Sequence, residues 1–464
     1  MINMTLDRIA LACNGQLFHT ENYDGRETAG IVLDSRRVQK DYLFVATVGE
    51  RADGHSFIPE VYEKGALAVL CEKAPVEPAG PYILVENSLE AMKDIAAWYR
   101  RQLQVKVVGI TGSVGKTSTK EFISSVLAQK YQVLKTEGNY NNEIGLPLTI
   151  FKIREEHEVA VLEMGISDFG EMHRLSRIAK PDIAVITNIG QCHLENLGDR
   201  AGVLKAKTEI FDYMEDTGRV CINGDDDMLS TIGEVKGHKP IRFGLGDPST
   251  GTSQSLPEVY ASDIKSLGLF GSTCTIHIEG NSLHTKVPLP GGHMILNALA
   301  ATAVGNLLGL TGEEIIAGIE AVKPTGGRSN IIRHENYTVI DDCYNANPVS
   351  MKAAIDLLTT ADTRKVAILG DMGELGEGEN SLHHEIGTYA ASKRVDLLVC
   401  VGKLSKNMYA GAKEASIHGS QYYYETRDAL IAALPDLVKA DDTILVKASH
   451  FMGFEHVVTA LLNK

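Results

Sequence analysis

Only one tryptophan occurs in 464 residues, no two of the seven cysteines form a CxxC pair, and basic side chains are not in excess. The cysteines (Cys13, Cys71, Cys192, Cys221, Cys274, Cys343 and Cys400) are scattered and odd in number, which argues against a disulfide framework and a cysteine zinc site. They fit a reducing compartment. Lys+Arg 45 against Asp+Glu 60 leaves a net charge of −15. A phosphate-neutralising footprint for nucleic acid is therefore missing, as is a cationic face for anionic lipid. An uninterrupted apolar span is lacking too. Residues 287–312 carry no Asp, Glu, Lys or Arg, but Pro288, Pro290, two adjacent glycines, Asn297 and Asn306 interrupt them. They read as a turn and a buried helix, short of the roughly 20 apolar residues of a membrane span. The opening MINMTLDRIALACNG has charges inside its apolar part and reads as an amphipathic helix, not a signal peptide. A cytoplasmic protein is expected.

The remaining composition, 44% hydrophobic and 23% charged, is that of a soluble globular chain. At about 150 residues per domain, three domains are expected. Residues 1–104 mix short strands (AGIVLDS, DYLFVATVG, ALAVLCE, PYILVEN) with the helix SLEAMKDIAAWYRRQL. Residues 105–322 open on the apolar strand Val105–Ile110, then a glycine turn and a helix over 117–129. Two further apolar strands, VAVLEMG and DIAVITNIG, look buried on both faces, as in a parallel sheet. Over 259–287 the pattern shifts to short Ser/Gly-punctuated antiparallel strands, and helices follow at 293–309 and 312–321. Residues 323–464 alternate YTVIDD, KVAILGDM, DLLVCVG and TILVKAS with helices near 349–360, 383–394, 427–438 and 453–462. Such alternation predicts an α/β chain with a doubly wound, mostly parallel central sheet.

The strongest local signal is VVGITGSVGKTST (107–119), a buried strand running through a glycine turn into a helix. Successive backbone N–H groups of Gly112, Ser113, Val114 and Gly115, with the helix start at Lys116, Thr117 and Ser118, form an anion nest. Lys116 is the expected phosphate lysine and the Thr117 hydroxyl the expected Mg²⁺ ligand. The strict GxxxxGK[ST] pattern fails at one position, where Ile110 stands in place of the first glycine.

Glu163 closes one apolar strand and His193 follows the next, so both fall at the carboxyl edge of the sheet, where open α/β folds bind ligands. A carboxylate and an imidazole there can hold a divalent ion beside a triphosphate. His193 can equally be a satisfied loop histidine. On the helix GVLKAKTEIF, Lys205 and Lys207 are two apart and face different ways, so only one can address the site. Helix lysines of this kind are usually solvated.

Taken together, TGSVGKTSTKE, EGNYNNEIGLP, LEMG, TNIGQCHLE, LKAKTEIF, DDCYNANP and the N-terminal DSRRV…LFVATVGERADGHSF resemble the Mur ligase family, over residues 30–455. The resemblance implies three domains: a small α/β UDP-substrate domain, a central P-loop-type ATPase domain and a C-terminal Rossmann-like domain that closes over the nucleotide. It implies ATP-driven amide formation between UDP-N-acetylmuramoyl-tripeptide and D-alanyl-D-alanine, in a monomer with no nucleic-acid or membrane partner. By the same resemblance Lys207 is carbamylated, and with Thr117, Glu163 and His193 serves two Mg²⁺ sites. Asn297 would lie near the adenine, and Arg328, Asp342, Asn345 and Asn347 would reach the nucleotide from the third block. On pattern alone, Asn345 and Asn347 can also be turn residues before Pro348. Ser35, Arg36 and the loop of Gly49, Glu50, Asp53 and His55 would face the uridine diphosphate, and Asn141 and Asn142 the muramoyl peptide. The loop 447–452 departs from the family pattern, with Ala448 and His450 where a glycine and an arginine are usual. Rival readings are another amino-acid ligase of this family, a folylpolyglutamate-type synthetase, or a P-loop NTPase module that joins nothing.

Overall fold

The computed structural model describes residues 1–49, 52–245, 256–324, 326–415 and 419–463. Three sheets organise the chain. The first has five strands in the order Gln16–Phe18, Tyr82–Leu84, Ala68–Cys71, Tyr42–Val45, Gly30–Val32, parallel except at the first pair. The second has nine. At its centre Lys106–Thr111 lies between Val159–Glu163 and Ile183–Ile186, all parallel. The chain leaves Lys106–Thr111 toward one edge and returns to its other side, so the strand order reverses there. A crevice opens at the carboxyl ends of strands at such a reversal. Val259–Ser266, Ser272–Ile278 and Asn281–Val287 extend the far edge as an antiparallel meander. The third sheet has six strands, Asn330–Arg333, Thr338–Asp341, Thr443–Lys447, Lys365–Gly370, Leu397–Val401 and Ser420–Tyr424, parallel except for the first pair.

Burial explains why these segments are strands. Val159–Glu163, Ile183–Ile186 and Leu397–Val401 are buried at every position, as continuous apolar runs between two helical layers should be. The charge-free run holds the helix His293–Leu307, which is apolar on nearly every face and buried over most of its length. Among the described residues no helix is long and apolar enough to cross a membrane.

The first two sheets share a core. Met92, Ile95 and Tyr99 of the helix Ser88–Gln102 pack with Leu146, Ile150, Ile153 and Leu175 in one apolar cluster. Tyr99 Oη donates to the Ile153 carbonyl at 2.7 Å, and Arg100 Nε to that of Ala179 at 3.0 Å. The third sheet has two apolar clusters of its own. Its contacts with the middle sheet include Arg333 over the Phe270 ring and the His193–Glu374 side-chain pair. A body joined through polar and edge contacts is freer to move than one sharing a core.

Two helical expectations shift. The helix expected at 383–394 begins at Glu379, and Ser405–Glu414 is a helix that the apolar pattern does not announce. Its buried face is Ser405, Met408, Gly411 and Ala412, where the small Gly411 and Ala412 let it lie close against the helix Glu379–Ser392. The edge strand Ser420–Tyr424 is also unannounced, because its SQYYY sequence is half-exposed and polar-aromatic.

Candidate active site

The strand Lys106–Thr111 delivers the chain into the glycine turn, and the helix Lys116–Leu127 leaves it. The helix has no side-chain N-cap, since Gly115 sits there with φ +84°, so its first N–H groups point into the turn unclaimed by a cap. The turn is fastened to the next strand end. Val114 N–H donates to Asn188 Oδ1 (3.0 Å), Ser113 N–H to the Asn188 carbonyl (3.0 Å), and Thr187 Oγ1 to the Val114 carbonyl (2.6 Å). Gly112 has φ +148°, and a Cβ there would lie 2.0 Å from Thr187 Oγ1. Gly112→Ala is therefore expected to cost about 1–3 kcal/mol and to raise the KM for ATP at least tenfold, read by thermal melting and initial rates.

Lys116 lies recessed beside the turn, its Nζ donating to the Gly112 carbonyl at 2.7 Å. Burial pushes its pKa down from the ordinary lysine value, with the nearby Glu163 opposing. Thr117 Oγ1 donates to Glu163 Oε2 at 2.7 Å, and Asn141 Nδ2 donates to Glu163 Oε1 at 2.8 Å. Both oxygens of a buried carboxylate are thus aligned by a hydroxyl and an amide.

These groups line a cleft of about 500 Å³ closed on its far side by the third sheet. Ser113, Val114, Gly115, Ser118 and Asn142 reach it from the middle sheet, and so does His193. Asn297 enters from the helix His293–Leu307, where its Oδ1 accepts from Thr119 Oγ1 at 2.8 Å. Arg328, Asp342, Asn345 and Asn347 enter from the third sheet. Arg328 stacks over Tyr344 at 4.0 Å from the ring centroid. Asp342 accepts from Ser329 N–H (2.8 Å) and from the buried Lys447 Nζ (2.6 Å), which also reaches the Asn345 carbonyl (2.9 Å). Asn347 caps the helix Pro348–Thr359 in a reciprocal box with Ser350, and Asn345 Oδ1 accepts from Ala346 N–H. The turn reading of both asparagines thus holds alongside their place in the cleft. Asn142 Oδ1 accepts from Ile144 N–H (3.2 Å) and Gly145 N–H (2.9 Å), in the turn that leads into the helix Gly145–Ile150.

The resemblance groups His193 with Glu163, but the structure gives it another partner: Nδ1 lies 2.7 Å from Glu374 Oε2, on the third sheet's side. Lys207 does not line the cleft. It is fully buried, its Nζ lacks any hydrogen-bond partner, and burial together with the charge of Lys116 pulls its pKa to about 7. Lys205, two residues earlier, lies over the Phe169 ring: the two lysines face different ways, as expected, but neither lines the cleft, and Lys207 is buried rather than solvated because its side of the helix is packed over.

The residues expected at the uridine diphosphate lie apart from this cleft. Ser35 and Arg36 form a short turn after Gly30–Val32, and Arg36 pairs with Asp34 at the surface. Asp53 caps the turn Gly54–Phe57, accepting from His55 N–H (3.0 Å) and ring Nδ1 (2.6 Å), while His55 Nε2 accepts from Glu72 N–H (3.0 Å). His55 thus has both ring nitrogens committed. Glu50 lies outside the described residues. Arg37, next in the turn, donates to Tyr140 Oη at 3.3 Å, linking this edge to Asn141 and the cleft.

His293 and Lys447 are cleft residues that the motifs do not assign. His293 opens a buried helix, where burial lowers its pKa. Its one sequence signal is its place directly after Gly291-Gly292. Lys447, the first residue of the expected loop 447–452, instead ends the strand Thr443–Lys447, and its burial against Asp342 follows only from tertiary packing.

Three family models match in succession: the Mur ligase family catalytic domain over 27–107, the Mur ligase middle domain over 110–305, and the Mur ligase glutamate ligase domain over 327–450. The UDP-N-acetylmuramoyl-tripeptide–D-alanyl-D-alanine ligase of Bacillus subtilis (strain 168) is 36% identical over 468 residues, covering 100% of this chain and 99% of its own. A MurF crystal structure from Acinetobacter baumannii superposes with a TM-score of 0.88 at 31% identity, over 99% of both chains. MurF ligase from Thermotoga maritima, solved in complex with ADP, superposes with 0.81 at 29% identity, over 94% of this chain and 97% of that one. With a glycine-loop cleft between two α/β sheets and full-length relatives of this identity, the chain belongs to the Mur ligase family.

Proposed function

We propose that the chain joins D-alanyl-D-alanine to UDP-N-acetylmuramoyl-tripeptide at the expense of ATP, working as a monomer in the cytoplasm. The observation that carries the reading is the cleft itself: one chain supplies a glycine loop with its lysine and a Thr117–Glu163 pair, facing an Arg328–Asp342–Lys447 group on a second body. In the proposed division, residues 1–104 hold the UDP-substrate, 105–322 the ATP and 323–464 close over the nucleotide. Ser35, Arg36 and the Gly49–His55 loop, with Glu50, would face the uridine diphosphate. Asn141 and Asn142 would face the peptide.

The chemistry follows from the groups present. The peptide carboxylate attacks the γ-phosphate, forming an acyl phosphate and releasing ADP. The amine of D-alanyl-D-alanine then attacks the acyl carbon, loses a proton and expels phosphate. Two anions must meet. The Ser113 and Val114 N–H groups of the expected nest are taken by Asn188, so Lys116 and the uncapped N–H groups at the start of the helix Lys116–Leu127 would hold the triphosphate, while closure of the third body keeps water from the acyl phosphate.

Magnesium fits the Thr117 hydroxyl and the Glu163 carboxylate, buried oxygen donors set beside the phosphate loop; such ions bind through one or two carboxylates plus substrate phosphates. When bound, it supplies positive charge against the transferring phosphoryl group. At a second site, His193 Nε2 and Lys207 would contribute. An unpartnered buried amine with a pKa of about 7 is about half neutral at pH 7, and the neutral form can add CO₂, giving a carbamate and a proton. The carbamate would set an anion near Lys116.

The intermediate is tested with tripeptide carrying ¹⁸O in its attacking carboxylate. One label is expected in the released phosphate; phosphate free of label contradicts the acyl-phosphate route.

A further inference from the structure

The His193–Glu374 pair joins two bodies through residues with unfavourable backbones. His193 has φ +52° and Glu374 φ +60°, both in the left-handed region that non-glycine residues seldom occupy. Such strain persists where the surroundings hold it, and it gathers at functional positions. The surroundings do hold it. Beside Glu374, Met372 N–H donates to His383 Nε2 (2.9 Å), Gly373 N–H donates to Ser449 Oγ (2.9 Å), and Leu375 is buried. On the other side, Cys192 Sγ lies 3.1 Å from Ser113 Oγ of the phosphate loop, and the His193 carbonyl accepts from Leu197 N–H. The carboxylate is thus offered by a pinned loop of the third body to an imidazole fastened to the glycine turn.

We propose that Glu374 is a positioning residue for His193. By accepting the Nδ1–H it fixes the tautomer that leaves Nε2 bare at the cleft, so the imidazole is ready to bind a cation only while the third body is docked. A histidine that binds a metal nearly always gives its other N–H to a carboxylate, carbonyl or water, and losing that partner typically weakens the metal 10–100-fold. Here the partner comes from the body that closes, so docking and readiness of the cation site are one event. The kinetic part of this inference rests on the ligase reading above. The tautomer part does not.

The test uses the full chain with ¹⁵N-labelled histidine, ligand-free at pH 8, the His193 signal being the one missing from His193→Asn. The wild type is expected to show the Nδ1-protonated neutral ring, and Glu374→Ala the Nε2-protonated ring common in solution. Glu374→Gln, which keeps an acceptor oxygen, should retain the wild-type ring. In turnover, Glu374→Ala should raise the Mg²⁺ concentration for half-maximal rate at least tenfold with the KM for D-alanyl-D-alanine within twofold, and Glu374→Gln should stay within threefold on both. The same ring pattern in wild type and Glu374→Ala, an unchanged Mg²⁺ requirement, or a glutamine variant as impaired as alanine would overturn the proposal. If the wild type releases no phosphate with both substrates, the ligase reading fails, and the ring spectra still decide the role of Glu374.

Discussion

Lys116→Ala is expected to lower kcat by about 10³-fold, the scale of losing one preorganised charge from a phosphoryl-transfer site. In the ligand-free chain the ammonium rests on the Gly112 carbonyl, a partner it can exchange for phosphate oxygens without crossing the cleft. Removing it leaves the turn fastened by Asn188 and Thr187, so the melting temperature should stay within about 2 °C of wild type. The same substitution removes the cation that depresses the Lys207 pKa, so that pKa should rise. Lys116→Arg should not rescue turnover, because a planar fork cannot take the place of a compact ammonium in a tight loop. Initial rates and thermal melts decide this. Activity within tenfold of wild type would remove Lys116 from the phosphate site.

The second large effect concerns Lys207, where stability and activity should move in opposite directions. Its amine is buried without a partner, and its pKa of about 7 lies well below the ordinary lysine value of 10.5. Between those values the unfolded chain binds a proton that the native chain does not, so native stability rises with pH across that window. Below about pH 7 the full cost of charging a buried amine is present. Lys207→Met keeps the volume and removes the amine. It should therefore melt roughly 3 °C or more above wild type at pH 6.5 in CO₂-free buffer, with the gap closing toward pH 10. Its turnover should nevertheless fall at least 100-fold, since the proposed carbamate cannot form. Lys207→Ala should be inactive and partly rescued by short carboxylic acids, which can enter the space left by the side chain. A Met variant with normal turnover, or an alanine variant that no acid restores, would count against carbamylation.

The phosphate loop was legible because its chemistry is local: strand, turn, lysine and helix are contiguous, and their geometry follows from a dozen residues. Glu163 was legible from its place at a strand end, since the carboxyl edge of a parallel sheet fixes where such residues converge. What lies between bodies was not. His193 pairs with Glu374, a residue 181 positions later, and nothing in the spacing of GQCHLE or GDMGEL joins them. On pattern alone Lys207 is an ordinary helix lysine; its burial is decided by what packs over the helix, which the local sequence does not carry. The asparagines of DDCYNANP carried two readings, and both describe the structure: Asn347 is a helix cap and also a wall of the cleft. The helix Ser405–Glu414 has no apolar stripe to announce it, because three of its four buried residues, Ser405, Gly411 and Ala412, are small.

The most direct test of the central claim is phosphate release from Mg-ATP with UDP-N-acetylmuramoyl-tripeptide, with and without D-alanyl-D-alanine, recording product masses. Release that requires both substrates, with the mass of the pentapeptide product, is the expected result. Release with ATP alone, or only with a different amine, would contradict it.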